Sequence, residues 1–196
     1  MSAINAEITP AAHDKFLIQE MINLRDRFDI DLLIETGTWR GNSINIFCKH
    51  FRKCVSIESD KDCYYHAVEV NKNNPNVQLL FGNSPDILKT ILIKQQKNTM
   101  FFLDAHWGDY WPLLDELQTI SDFNIKPIIA IHDFFTPDEN GFSKFGYDKY
   151  GNQPLDLHYV SNKMAKIYGE DGFLHYCLNE VEVNSGVGFF IPENYA

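Results

Sequence analysis

Ile30-Asp31-Leu32-Leu33-Ile34-Glu35-Thr36-Gly37-Thr38-Trp39-Arg40-Gly41 is the stretch on which the fold turns. Its first half is a short apolar run without polar alternation. That is the form of a strand buried on both faces, as in a parallel sheet. Its second half breaks the run with an acid and two glycines, the chemistry of a strand-to-helix turn. In an open parallel sheet, ligands bind outside the carboxyl ends of the strands. The dinucleotide fingerprint needs glycine where Trp39 and Asn42 stand, so a nicotinamide cofactor is disfavoured.

Working outward, apolar runs and amphipathic stretches alternate. Upstream, Thr9-Pro10 offers an N-cap and a favoured first helical residue, and Leu17, Met21, Leu24 and Phe28 share one helix face. Downstream, a helix carries Ile44, Phe47, Cys48 and Phe51 inward, and residues 54–58 form a second strand. Asp60 caps a helix that runs to about Asn71, and Asn73-Asn74-Pro75-Asn76 is a turn. Residues 77–81, 100–103 and 128–131 read as further strands. Ser84-Pro85-Asp86 and Pro112 start the helices between them, the second with Leu113, Leu114, Leu117 and Ile120 inward.

Residues 134–153 are rich in Gly, Asp, Asn, Tyr and Phe and have no period, the mark of a lid or binding loop. A helix over 154–168 stops at Gly169. Two strands, 173–183 and 187–191, are joined by Asn184-Ser185-Gly186 as an antiparallel hairpin. The expected fold is α/β: a Rossmann-like, doubly wound, mostly parallel sheet with a C-terminal antiparallel hairpin. One domain is expected, with a helix in 1–29, βα units in 30–133, a lid loop and helix in 134–170, and the hairpin in 171–196.

The 196 residues are enough to bury a core without disulfides or structural metal. A hydrophobic fraction of 44% and a charged fraction of 22% exclude a disordered, collagen-like or coiled-coil chain. The 17 basic and 27 acidic residues leave a net charge of −10. Nucleic acid and anionic membrane would repel such a chain on average, so neither is an expected partner. Cys48, Cys54, Cys63 and Cys177 show no C-x-x-C spacing, against a zinc knuckle and for a reduced compartment. No basic-then-apolar leader and no run of ~20 apolar residues is present. A soluble, cytoplasmic protein acting on a small molecule is expected, with a homo-oligomer left open.

Two strand ends carry the densest chemistry. Phe101-Phe102-Leu103-Asp104-Ala105-His106-Trp107-Gly108-Asp109-Tyr110 ends an apolar strand in Asp-x-His with aromatics behind it, and Ile131-His132-Asp133-Phe134-Phe135 ends the next. Adjacent parallel strands would gather Asp104, His106, His132 and Asp133 at one mouth, an oxygen/nitrogen site for Mg²⁺ or Mn²⁺. Read blandly, both are capped strand ends without metal. No G-x-S-x-G, Walker or H-E-x-x-H motif occurs. His13, His50, His66, His158 and His175 read as surface or packing residues.

An acid followed by G-x-x-x-G, here Glu35, Gly37 and Gly41, resembles the first motif of the class I S-adenosylmethionine (SAM) dependent methyltransferase superfamily. The element order resembles that superfamily too. The resemblance implies that Gly37, Thr38, Gly41, Asn42 and Ser43 lie along the amino-acid part of SAM and that Glu35 orients its ammonium. Glu58, 21 residues after Gly37, then takes the ribose hydroxyls. Asn83, where the family often has Asp, and Ser84 would meet the adenine, or else only cap the next helix.

Asp104 and the acid after the fifth strand resemble more narrowly the metal-dependent sugar O-methyltransferases of the macrocin O-methyltransferase and cephalosporin-hydroxylase-like group. There three acids hold Mg²⁺ and a nearby Asp or His takes the hydroxyl proton. Asp104 and Asp133 match two ligands, and His132 stands where the group has an acid. The resemblance runs through motifs over residues 30–133 and through element order elsewhere.

It implies a SAM-dependent O-methyltransferase acting on a sugar or sugar-containing metabolite. The cation ligands are Asp104, His132 and Asp133, and the cation is Mg²⁺ or Mn²⁺. The catalytic residues are His106 as base and Asp104. Trp107, Tyr110, Trp111 and Tyr147 lie against the sugar, under a lid that includes Phe142, Phe145 and Tyr150. Two other readings stay open: a non-catalytic SAM-fold binding domain, and a metal-dependent hydrolase that does not use SAM. Binding of SAM separates the hydrolase from the others.

Overall fold

A computed structural model describes residues 14–93, 98–105, 110–169 and 172–193. In chain order the elements are α1 (Lys15–Phe28), β1 (Leu32–Thr36), α2 (Asn42–Phe47), β2 (Lys53–Glu58), α3 (Lys61–Asn71), β3 (Val77–Phe81), α4 (Ser84–Leu92) and β4 (Thr99–Leu103). They continue with α5 (Leu113–Asp122), β5 (Ile128–His132), β6 (Lys149–Tyr150), β7 (Gln153–Pro154), α6 (Leu157–Tyr168), β8 (Phe173–Cys177) and β9 (Val187–Pro192). Seven strands form one sheet in the order β3-β2-β1-β4-β5-β9-β8. β1 to β5 run parallel, and β9 is antiparallel to both β5 and β8. The expected mostly parallel sheet with its C-terminal antiparallel pair is present.

Alternation along the buried strands divides the core into two layers. Leu33, Cys54, Met100, Phe102 and Ala130 pack on Met21, Leu24, Ile44 and Phe47 of α1 and α2. Ile34, Val55, Ile57, Phe101, Ile129 and Ile131 pack on Leu88, Leu117, Ile120, Val160 and Met164 of α4, α5 and α6. Because both faces of the sheet are covered, the strands read as continuous apolar runs.

Register then fixes the carboxyl edge. Thr36 lies opposite Ile57 and Leu103, and Leu103 opposite Ile131. The next residue on each strand, Gly37, Glu58, Asp104 and His132, therefore falls in one row across the sheet. The strand order reverses between β1 and β4, the switch point where ligands of such sheets sit.

Four local expectations need correction. α1 starts at Lys15 and is capped by Asp14, whose carboxylate accepts the Phe16 and Leu17 N–H groups; Thr9-Pro10 is too far upstream to cap it and lies outside the described residues. α4 takes Asn83 rather than Ser84 at its N-cap position, without a side-chain capping bond, because the Ser84 hydroxyl is turned to buried Glu116. α6 starts at Leu157 under an Asp156 cap, since Pro154 belongs to a short strand facing Lys149. The strand from Phe173 ends at Cys177, not 183: Asp14 draws the Glu182 and Val183 N–H groups away from sheet pairing.

The segment after β5 is also more ordered than a loop without a period suggests. It closes a bridge between Pro137 and Ser143, then forms the β6–β7 hairpin.

Candidate active site

On β1, Glu35 is fully buried. One carboxyl oxygen accepts the Ser56 hydroxyl from the neighbouring strand, and Ser56 is 2.5 Å from the Thr38 hydroxyl. The other oxygen, Oε1, has no hydrogen-bond partner among the described residues. Burial raises the Glu35 pKa to about 8; the Ser56 bond opposes the shift, and the charges of Asp104 and Glu58 add to it. Burial thus disfavours the charged form of Glu35, and Oε1 is left without a hydrogen-bond partner among the described residues.

The glycine turn follows. Gly37 has φ +79°, and a Cβ there would lie 2.5 Å from the Asp104 carbonyl oxygen. Gly41, at φ +78°, would meet Ala67 of α3 at 2.8 Å. Only glycine lets these backbones approach so closely. Asn71 holds the turn from below, its amide donating to the Gly41 carbonyl at 3.0 Å. Thr38 is buried and Ser43 half-buried, while Asn42 opens α2.

Glu58 ends β2. Its two oxygens accept the N–H groups of Trp39 (2.6 Å) and Asp60 (2.8 Å). The carboxylate is thereby oriented, with further lone pairs that these two N–H groups do not use. Asp60 caps α3 through the Cys63 N–H, as its position predicts. Trp39 itself sits at φ +47°, an uncommon backbone for a bulky residue, which its bond to Glu58 maintains.

Asn83, after β3, is exposed and donates to Asp86 at 3.3 Å. Tyr110 stands nearby, its hydroxyl bonded to Asp115 at 2.6 Å; burial, Asp115 and other groups push its pKa up to about 12.

On β4 and β5, Asp104, His132 and Asp133 each offer a ligand atom within 4.8 Å of one another. His132 Nδ1 is 3.0 Å from Asp104 and 3.3 Å from Asp133. Burial disfavours charge on His132, but the two carboxylates outweigh it and hold its pKa well above the ordinary histidine value. Asp133 has φ +51°, and the Ser185 hydroxyl donates to its other oxygen. In the cluster the imidazole Nδ1 lies between the two carboxylates. The donor set also fits a borderline cation such as Mn²⁺ better than Mg²⁺, which prefers oxygen alone.

Trp111 is buried, packed against Tyr150 (5.2 Å) and edge-on to Tyr159 (6.2 Å), so it backs the wall instead of standing free. Tyr147 lies edge-on to Phe135 at 4.9 Å. His106 and Trp107 lie outside the described residues. The sequence reading missed Ser56, Asn71 and Ser185. A serine inside the apolar run Val55-Ser56-Ile57 was the available signal for the first, but Asn71 and Ser185 carry none.

No protein-family model matches this sequence, and no curated protein does. Solved structures do. The O-methyltransferase TomG from Streptomyces achromogenes, involved in tomaymycin synthesis and solved with SAM, is 15% identical, with a TM-score of 0.60 over 90% of this chain and 78% of its own. The SAH-bound methyltransferase PaMTH1 from Podospora anserina is 19% identical, with a TM-score of 0.60 over 89% and 77%. An rRNA methylase from Streptococcus thermophilus is 11% identical, with a TM-score of 0.55 over 95% and 99%. No described helix is long and apolar enough to cross a membrane.

Proposed function

With the class I methyltransferase fold as premise, we propose that the chain transfers a methyl group from SAM to a hydroxyl of a small acceptor, a sugar or sugar-containing metabolite. The observation that carries this is the row Gly37, Glu58, Asp104 and His132, with unsatisfied Glu35 behind it at the switch point. The residues fit SAM. The buried Glu35 oxygen has no hydrogen-bond partner among the described residues, which an ammonium would supply, and Glu58 is held by two N–H groups in place for a ribose diol. Bound SAM supplies an electrophilic methyl on a sulfonium.

The chain must then align the acceptor and remove its proton. His132 Nδ1 is engaged by Asp104 and Asp133, so His132 is not assigned as the base. We assign the base to His106, two residues beyond Asp104, because histidine, with an unperturbed pKa of ~6.5, is the side chain suited to proton transfer near neutrality. Asp104, Asp133 and His132 hold the acceptor hydroxyl or a divalent cation. A cation held by these three residues would supply Lewis-acid polarisation of that oxygen. Tyr110 and Tyr147 are assigned to the sugar-facing wall, and Trp107 is assigned to it from its place in the sequence alone.

Calorimetric titration with SAM, followed by labelled-methyl transfer to a panel of sugars and glycosides, tests the proposal. No SAM binding at millimolar concentration overturns the donor assignment. SAM binding without transfer to any hydroxyl leaves the binding-domain reading. His106→Ala is expected to lose about 10²- to 10⁴-fold in turnover per folded molecule with SAM affinity kept. Full turnover after exhaustive chelation removes the cation.

A further inference from the structure

Asn184-Ser185-Gly186, on the long connection between β8 and β9, bonds at every residue to the segment that leaves β5. The Asn184 side chain accepts the Gly146 N–H at 3.2 Å. The Gly186 N–H donates to the Gly146 carbonyl, and the Gly186 carbonyl accepts the Phe134 N–H, both at 2.9 Å. A Cβ at Gly186 would run into the Phe134 carbonyl oxygen and the Thr136 hydroxyl. Between them, Ser185 is 6% exposed, so water does not readily replace its hydroxyl, and that hydroxyl donates to Asp133 Oδ1. Asp133 Oδ2 faces His132 Nδ1 at 3.3 Å. The Asp133 backbone is gripped as well, its carbonyl accepting the Asp148 N–H at 2.9 Å.

Asp133 adopts a left-handed backbone conformation, which points its side chain away from the direction a continuing strand would give. A donor on one carboxylate oxygen then selects the rotamer that presents the other oxygen to the site. We propose that Ser185 is a positioning residue of the acceptor side, orienting Asp133 toward His132 and Asp104. This rests on the reading of those three residues as the acceptor or cation site. Ser185 touches neither donor nor acceptor. It acts through Asp133, as partners of ligating carboxylates do.

The test uses the full chain with Ser185→Ala and Ser185→Thr, the latter keeping a hydroxyl. Mn²⁺ affinity, read by electron paramagnetic resonance, is expected to fall about 10- to 100-fold in S185A and to recover largely in S185T. SAM affinity stays near the parent value, with each variant compared at full folding. Parent-like Mn²⁺ affinity in S185A overturns the proposal, as does an equal loss in S185A and S185T at full folding.

If the parent binds no Mn²⁺, the cation reading has failed. The His132 Nδ1–H resonance then decides on Ser185 alone. Its proton, held between two carboxylates, should shift or broaden in S185A and return in S185T. An unchanged resonance overturns the positioning role.

Discussion

On the β1–β2 side, the acids are held by what lies next to them. Glu35 leans on Ser56, its register partner, and Glu58 takes the N–H groups of Trp39 and of Asp60, two residues on. On the β4–β5 side, Asp104 meets His132 from the next strand, and Asp133 depends on Ser185, 52 positions away in sequence. Within one βαβ unit, strand pairing already places the partners. Beyond β5 the chain must return from its far end to complete the site. The β1–β2 side is thus built by local folding and the β4–β5 side by closure of the whole domain.

The largest test of this division is Asp133→Asn. It should cost turnover about 10²- to 10⁴-fold while SAM affinity holds, read by labelled-methyl transfer and calorimetry. A parallel collapse of SAM binding would erase the distinction between the two sides. Gly37→Ala strikes the seam between them, since its Cβ meets the Asp104 backbone. It should destabilise the chain by about 2–4 kcal/mol in urea titration. Glu58→Ala should weaken SAM by roughly 10- to 100-fold, the usual weight of hydrogen bonds to a charged group. Asp60→Ala should weaken it far less.

A further test concerns pH. Glu35 ionises near 8 when folded, against an ordinary 4.5. Between those values the folded chain keeps a proton that the unfolded chain has lost, so stability falls as pH rises through this window. Glu35→Gln should flatten that slope in urea unfolding. SAM affinity should run the other way, tightening as Glu35 ionises to face an ammonium. A SAM affinity independent of pH up to ~8.5 would detach Glu35 from the donor.

The same division explains what was legible in the sequence. The parallel strands and the acids and imidazole at their carboxyl ends follow from apolar runs that end in Glu58, Asp104 and His132. Such runs encode their own burial and their own ends. Asp14 was not legible as a cap, because Thr9-Pro10 has stronger local helix-start chemistry and Asp14 gains its role from a distant loop. The final hairpin was drawn too long for the same reason. Ser185 looks like any turn serine until Asp133 arrives. Trp111 looks like an exposed stacking ring until Tyr150 and Tyr159 close on it.

Asp14 carries a consequence for how the molecule opens. Its single carboxylate serves two N–H groups at the start of α1 and two in the connection that leads to Ser185. Neither end can detach without exposing donors at the other, so the amides of Phe16, Leu17, Glu182 and Val183 belong to one cooperative unit. In hydrogen exchange they should share one opening free energy, although the two ends lie 168 positions apart. Fraying of the first turn of α1 would then be felt as deuterium uptake beside the acceptor site, on the opposite end of the chain.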